Sequence, residues 1–521
     1  MPQFCYSMTT MASIPLGELL RCVTQPWQMV HGHADCLQRP VLGVTQDSRR
    51  VAPGWIFVAC AGATKQSQDG HAFVQQVCNK RAVALFVRDA ASVAAAADTA
   101  VFVVAHPRLA LAQLAEAWHG YASQHMQLCA VTGTNGKTSV THLLATILQM
   151  AGVQPAVLGT LGVGKPGQLQ STSYTTATPE QLSAQLAMLQ QQGYSHVCME
   201  ISSHALALQR ADGIQLALGA LTNITQDHLD FHGDMRQYVA AKQRLFTQLL
   251  AVGQPAVLPL DHAFVQQAKQ RQLSVTTWGY NARADVWADQ IDCSLDGIRL
   301  RMQLQHETRH VHSAVLWGKP SVDNMLCAAA CAWALQLPAD AIAQGLCCAQ
   351  ALPGRMQIAN ANGKRTPSQP LVLVDYAHTP HALASLLDAG LQALPQGGRL
   401  ILVFGCGGQR DAAKRPIMGG IAAQKAHVTL LAHDNPRHEE PMQILQQIAV
   451  GMHNGAEYHV VGDRAQAIAQ AIAMARSQDI VVIAGKGHEQ TQLWGDVSKP
   501  FCDVTQAQQA LKQCLSNPAH L

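Results

Sequence analysis

Residues 127–139 read Gln-Leu-Cys-Ala-Val-Thr-Gly-Thr-Asn-Gly-Lys-Thr-Ser, an apolar run that opens into a glycine-bearing turn closed by lysine and two hydroxyls. This order predicts a strand over 127–131, a phosphate-binding loop, and a helix beginning near Val140. Glycines let backbone amides close around phosphate oxygens, and a helix amino end adds a favourable dipole. Lys137 can then meet terminal phosphates while Thr138 reaches magnesium. The spacing departs from the strict GxxxxGK[ST] pattern, because Val131 stands where the first glycine would be. Gly133, Thr134, Asn135, Gly136, Lys137, Thr138 and Ser139 are the candidate nucleotide-binding residues. The loop alone does not separate a ligase from a motor or a kinase.

Outward from this loop, short β-branched runs alternate with Ala/Leu/Gln-rich helical stretches from about residue 40 to the end. That alternation reads as α/β with mainly parallel sheets, in which ligands gather at the carboxyl ends of strands. Strands over 371–374 and 400–404 precede Asp375-Tyr-Ala-His and Gly405-Cys-Gly-Gly, so both loops are expected at the functional edge of their domain. At 521 residues the chain is too long for one ordinary core, and three domains are expected. Divisions fall at His106-Pro107 and at Leu352-Pro353, giving 1–107, 108–352 and 353–521, the last following an Ala-rich helix from Asn324. Residues 360–370 read as a surface loop, and the glycines at 159, 162, 164 and 167 as a β-hairpin rather than a second phosphate loop.

Charge is nearly balanced, 36 Lys+Arg against 33 Asp+Glu, which argues against a nucleic-acid partner held on a broad basic face. Apolar runs are strand-sized and interrupted by charges, so no membrane insertion is expected. No secretory pattern opens the chain, although Met8 and Met11 are also possible starts. The 15 cysteines are scattered without paired metal-type spacing and read as reduced thiols of a cytoplasmic protein.

Several polar groups fall just beyond apolar runs. Glu200 follows residues 196–199, where a carboxylate can hold a metal directly or through water. Asp227, His228 and Asp230 offer hard oxygen and imidazole ligands, and Lys242 lies on a helical stretch over 235–250. Asp434-Asn-Pro-Arg437 and Gly485-Lys-Gly-His-Glu489 are two more strand-end loops. One such loop is usually structural. Several together are where sites are built.

With these motifs in view the sequence resembles the Mur ligases, particularly those that add the third peptide residue to UDP-N-acetylmuramoyl-L-alanyl-D-glutamate. Gly133 to Thr138 carries the superfamily motif, while residues 200–205, 227–233 and 375–380 carry the third-residue motifs. The resemblance implies a central P-loop parallel-sheet ATPase domain, flanked by an amino-terminal α/β uridine-nucleotide domain and a carboxyl-terminal Rossmann-like domain. It implies ATP as substrate, Mg2+ as cofactor and a monomer. Ser48, Ala63, Thr64 and Lys65 match contacts to the uridine nucleotide; Thr175, Thr176, Ser202 and Arg210 match contacts to the muramoyl peptide. Asn324 and Arg355 match nucleotide contacts. Lys242 matches a carbamylated lysine that would share a metal with Glu200 and His228, Thr138 holding the other, and Lys137, Glu200, His228 and Lys242 form the catalytic group.

Arg410, Asp434, Asn435, Pro436, Arg437, Gly485 and Glu489 match contacts to the incoming amino acid. The 434–437 motif resembles the meso-diaminopimelate version, because a guanidinium can grip the second carboxylate that lysine lacks. Lysine as third residue, and a non-ligating P-loop regulatory protein, are the alternative readings. Two positions depart from the family's pattern: Leu208 stands where glutamine is common, and Tyr174 where asparagine is.

Overall fold

The computed structural model describes residues 13–63, 67–89, 98–172, 174–294, 296–363, 365–453 and 455–516. Thr64, Lys65, Met8 and Met11 lie outside them. Three sheets dominate, of five, eleven and six strands in chain order. In the first, strands Gly43–Thr45, Trp55–Val58, Ala84–Val87 and Ala100–Val104 run parallel, and Trp27–His31 closes one edge antiparallel. Helix Pro107–Trp118 turns Ala110, Leu111, Leu114 and Ala117 into the core of this sheet. The helix also packs against helix Pro179–Gln191, so it sits between the amino-terminal and middle sheets.

The middle sheet has a parallel centre in the order Pro155–Gly159, His196–Glu200, Gln127–Thr132, Leu218–Leu221, Pro255–Pro259 and Ser274–Gly279. Antiparallel additions extend both edges: Gly162–Lys165 with Gln168–Gln170 at one, and Gly297–Leu304 with Glu307–Ser313 at the other. The first addition is the hairpin expected from the glycines at 159–167. Helices cover both faces, Lys137–Met150 and Gly318–Ala334 on one, Pro179–Gln191 and Phe264–Gln270 on the other. Strand Gln127–Thr132 lies between neighbours reached by connections in opposite directions. The loop after it thus opens at a topological switch point, where open α/β sheets form binding crevices.

The phosphate-loop helix starts at Lys137 rather than near Val140, because Gly136 supplies a left-handed amino cap at φ 85°. Val140, Leu143, Leu144, Ile147 and Leu148 then repeat at helical spacing and are buried. The Ala-rich helix begins at Gly318, six residues before the expected Asn324, and Asn324 lies within it.

In the last sheet Leu371–Asp375, Ile480–Ala484, Leu400–Phe404, Val428–Ala432 and Tyr458–Gly462 are parallel neighbours. Their following loops consequently share one edge. Before this sheet the chain turns at Gly354, φ 61°, where a Cβ would lie 2.1 Å from the His488 backbone nitrogen and 2.2 Å from the Gly487 carbonyl carbon. Only glycine fits this seat. Residues 360–370 depart in part from a plain surface loop: Asn360 is fully buried, donating to the Pro370 carbonyl at 3.0 Å and accepting from Val372 N at 3.0 Å. Among the described residues no helix is long and apolar enough to cross a membrane.

Candidate active site

The phosphate loop is braced by the end of its neighbouring strand. Asn223 accepts from Asn135 N at 3.0 Å through its side chain and from Thr134 N at 2.9 Å through its carbonyl. Thr222 Oγ1 donates to the Asn135 carbonyl at 2.6 Å. Thr134 Oγ1 shares a hydrogen bond of 2.8 Å with the Tyr238 hydroxyl, tying the loop to the helix that carries Lys242. A Cβ on Gly136 would fall 2.1 Å from Asn324 Oδ1, so a proposed nucleotide contact is packed against the loop itself. Lys137 Nζ donates to the Gly133 and Thr134 carbonyls, each at 2.9 Å. Burial lowers its pKa, while Glu200 and Asp227 oppose that shift.

Glu200, 2% exposed, anchors the next corner. It accepts from Thr138 Oγ1 at 3.0 Å and from Thr160 N at 2.8 Å. Thr160 Oγ1 also reaches the Glu200 carboxylate at 3.2 Å and Thr175 Oγ1 at 3.0 Å. Thr176 Oγ1 donates to the Glu200 carbonyl at 2.9 Å and accepts from Ser202 N at 3.1 Å, and Ser202 caps helix Ser203–Ala207. Arg210 Nη1 donates to the Thr176 carbonyl at 2.8 Å, with its guanidinium 5.5 Å from the Tyr174 ring. The four residues matched to the muramoyl peptide are thus brought together beside Glu200, and Tyr174 joins them.

The amino-terminal domain faces this corner through its loop at residues 46–50. Arg49 lies within electrostatic reach of Tyr174, and buried Glu180 lies within reach of the Arg50 charge and the Gln46 backbone. Ser48 is nearly buried, its carbonyl accepting from Lys80 Nζ at 2.8 Å. Ala63 is exposed.

On the far side of the phosphate loop, Lys242 is 1% exposed, and its Nζ donates to the Gly133 carbonyl at 2.8 Å. Burial, then the charge of Lys137, pushes its pKa well below the usual lysine range. His228, at φ 53°, lies 3.4 Å from Asp227 by side chain and packs edge-on against His204. Burial lowers the His228 pKa too, with Asp227 opposing. Among the described residues no three His, Cys, Asp or Glu side chains form a ready metal cluster. The donors at hand are instead the Thr138 hydroxyl, the Glu200 carboxylate and the His228 imidazole. So small a set fits magnesium, which keeps water and substrate phosphate oxygens in its shell.

The carboxyl-terminal loops meet at one edge. Half-buried Asp375 accepts from Met356 N at 2.7 Å and Ala377 N at 2.8 Å; desolvation raises its pKa, and Arg355 opposes. Arg355 lies 4.8 Å from the Tyr376 ring and 3.5 Å from Thr138 Oγ1, bridging the two domains. Asn435 Nδ2 donates to Glu489 Oε2 at 2.7 Å. Burial pushes the Glu489 carboxyl up, but Lys486 and Asn435 outweigh it and hold the carboxyl below its ordinary range. Arg437 adopts φ 53° and is bracketed by hairpin Thr491–Trp494 and Val497–Pro500, donating to the Leu493 carbonyl at 3.0 Å and accepting from Gly495 N at 2.7 Å. Its Nη1 donates to the Gly408 carbonyl at 2.8 Å. Arg437 is half-buried, and this one bond leaves its other guanidinium donors without a hydrogen bond among the described residues. Arg410 is exposed nearby, Pro436 is buried, and the Gly485 Cβ position lies 2.7 Å from Asp434 Oδ2.

A cleft of about 1180 Å³ joins these parts. Ser139, Asn324 and Arg355 line it together with Thr160, His488 and Glu489. Of these, Thr160 was not visible as a site residue in the sequence. It reaches Glu200 only because strands Pro155–Gly159 and His196–Glu200 pair in parallel.

A phosphate loop, a carboxylate beside it and a cleft completed by Arg355, His488 and Glu489 of a separate domain are the construction of an ATP-dependent amide ligase. Residues 131–332 match the Mur ligase middle domain, and residues 354–487 match the Mur ligase, glutamate ligase domain. The UDP-N-acetylmuramoyl-L-alanyl-D-glutamate–2,6-diaminopimelate ligase of Xylella fastidiosa is 38% identical over 96% of this chain and 97% of its own length. Its counterpart from Xanthomonas oryzae pv. oryzae is 42% identical over 90% and 94%. A solved structure of a ligase of that name covers 96% of this chain and 99% of its own, with 30% identity and a TM-score of 0.69. The chain belongs to the Mur ligase family.

Proposed function

We propose that the protein joins meso-diaminopimelate to the D-glutamate γ-carboxylate of UDP-N-acetylmuramoyl-L-alanyl-D-glutamate, consuming ATP, in peptidoglycan synthesis. The observation that carries this reading is the shared cleft: Ser139 and Asn324 line it beside Glu489, so nucleotide and amino acid would face one another across it. A free carboxylate lacks a leaving group. Transfer of the γ-phosphoryl to it yields an acyl phosphate and ADP; attack by the neutral amine then forms the amide and releases phosphate. Lys137 and the amino end of helix Lys137–Met150 stabilise charge on the phosphates. Thr176, Ser202 and Arg210 hold the peptide, and Arg355 spans nucleotide and carboxyl-terminal domain.

Magnesium would be held by Thr138 and Glu200, and a second ion by Glu200, His228 and carbamylated Lys242; bound there, it would offset the crowding of negative charge. Lys242 suits carbamylation because burial lowers its pKa and so favours the neutral amine, the form that adds carbon dioxide. Because ATP is consumed, we place the reaction in the cytoplasm, with the enzyme as a monomer. The γ-phosphoryl must be kept from water, and the site draws on two domains, so the carboxyl-terminal domain closes over the central one in turnover. Small-angle scattering should show compaction with nucleotide and substrates; an unchanged profile would count against closure.

The test of the reaction is product mass from purified protein with ATP, magnesium, the UDP-dipeptide and either meso-diaminopimelate or L-lysine. Tripeptide with diaminopimelate is the expected result. Product with lysine alone would overturn the selectivity, and no product from folded, ATP-binding protein would overturn the ligase.

A further inference from the structure

Lys486 is fully buried, yet no step above uses it. We propose that Lys486 is a positioning residue for the incoming amino acid, acting through Glu489 and Asn435; the inference rests on the ligase reading above. Its Nζ donates to Glu489 Oε2 at 2.7 Å, to Asn435 Oδ1 at 3.1 Å and to the Thr491 carbonyl at 2.8 Å. Three donors thus meet three acceptors, and the ammonium has none to spare. Asn435 Nδ2 donates to the same Glu489 oxygen at 2.7 Å, while Asn435 Oδ1 also accepts from Leu493 N at 3.0 Å. Lys486 therefore ties the loop after Val428–Ala432 to the loop after Ile480–Ala484 and to the hairpin that brackets Arg437.

Glu489 is caught by one oxygen only. Oε2 takes the ammonium and the amide, whereas Oε1 accepts no hydrogen bond among the described residues, and Glu489 lines the cleft. This arrangement leaves one fixed carboxylate oxygen for an ammonium group of the amino acid. Lysine suits the role because a compact charge can serve three acceptors at once, which a planar guanidinium cannot do in the same space. Without that charge only Arg464 would be left to offset the repulsion between Asp434 and Glu489, and Glu489 would lose the ammonium that fixes its Oε2.

Lys486→Met and Lys486→Gln test this in the full chain, with steady-state kinetics for all three substrates and melting curves as folding controls. Loss of a charged hydrogen bond predicts a rise in KM for diaminopimelate of about 10-fold or more, with KM for ATP and the UDP-dipeptide within about 2-fold of wild type. In a Glu489→Gln background, Lys486→Met should add little, because both act through one group. The proposal is overturned by a folded variant whose KM for diaminopimelate is unchanged, by equal rises for all three substrates, or by additive effects in the double variant. Failure of Lys486→Gln to fold would also overturn it, making Lys486 a fold determinant. Absence of tripeptide from wild type is a different result: it removes the ligase reading before any variant is compared.

Discussion

Arg437→Ala probes selectivity most directly. Alanine at φ 53° bears the same left-handed backbone cost as arginine, so the change isolates the guanidinium. Nη1 already donates to the Gly408 carbonyl, which leaves the remaining donors for the second carboxylate of diaminopimelate. A charged hydrogen bond of this kind contributes about 1.5–3 kcal/mol. At about 1.4 kcal/mol per factor of ten, kcat/KM for diaminopimelate should fall roughly 10- to 150-fold. Lysine has no second carboxylate to lose, so its kcat/KM should hardly move. The assay is competition between the two amino acids at limiting concentration, read by product mass. A preference ratio within about 2-fold of wild type would refute the reasoning, since the predicted loss is several times larger.

Lys242→Ala should remove most activity, with bicarbonate or a short carboxylic acid restoring part of it; full activity without additives would dismiss the carbamate. Gly136→Ala places a Cβ on Asn324 Oδ1 at positive φ, so melting should show a loss of about 1–3 kcal/mol and titration weaker ATP binding. An unchanged melting point would mean that the loop relaxes freely. His119 is held neutral by burial, its pKa lowered to about 4, and its buried Nδ1 has no hydrogen-bond partner among the described residues. The unfolded chain therefore takes up a proton between about pH 6.5 and 4 that the folded one does not, and this histidine should reduce stability on acidification by up to ~1.4 kcal/mol per pH unit. Melting of His119→Gln across that window should show a shallower slope than wild type, and equal slopes would refute the assignment.

The sequence carries the centre of this site openly. A strand that ends in Gly-Thr-Asn-Gly-Lys-Thr declares its own loop, and Asp375, Gly405, Asp434 and Gly485 all follow apolar runs that become parallel neighbours. Local chemistry suffices there. It fails where partners come from afar. Thr160 is 40 residues from Glu200, and their contact depends on parallel pairing and on Gly159, whose Cβ position lies 2.2 Å from Glu200 Oε1. Lys486 stands in a motif that could be read, but its three acceptors lie on two loops and a hairpin. The helix after the phosphate loop began early because a left-handed glycine cap is set by φ, which periodicity does not report. Helix Pro107–Trp118 shows an apolar stripe without showing which core receives it.

Gly354 meets residues 487–488 with bare backbone on both sides, and such a joint has no side chain to bend and absorb movement. It behaves as a fulcrum. One arm carries Arg355, beside Thr138 and the nucleotide end of the cleft; the other carries Glu489, at its amino-acid end. Tyr376 N also donates to the Gly354 carbonyl at 2.9 Å, which pins the pivot to the sheet. Both ends of the cleft therefore hang on one backbone-to-backbone contact, and a single added methyl group at Gly354 would force that contact apart.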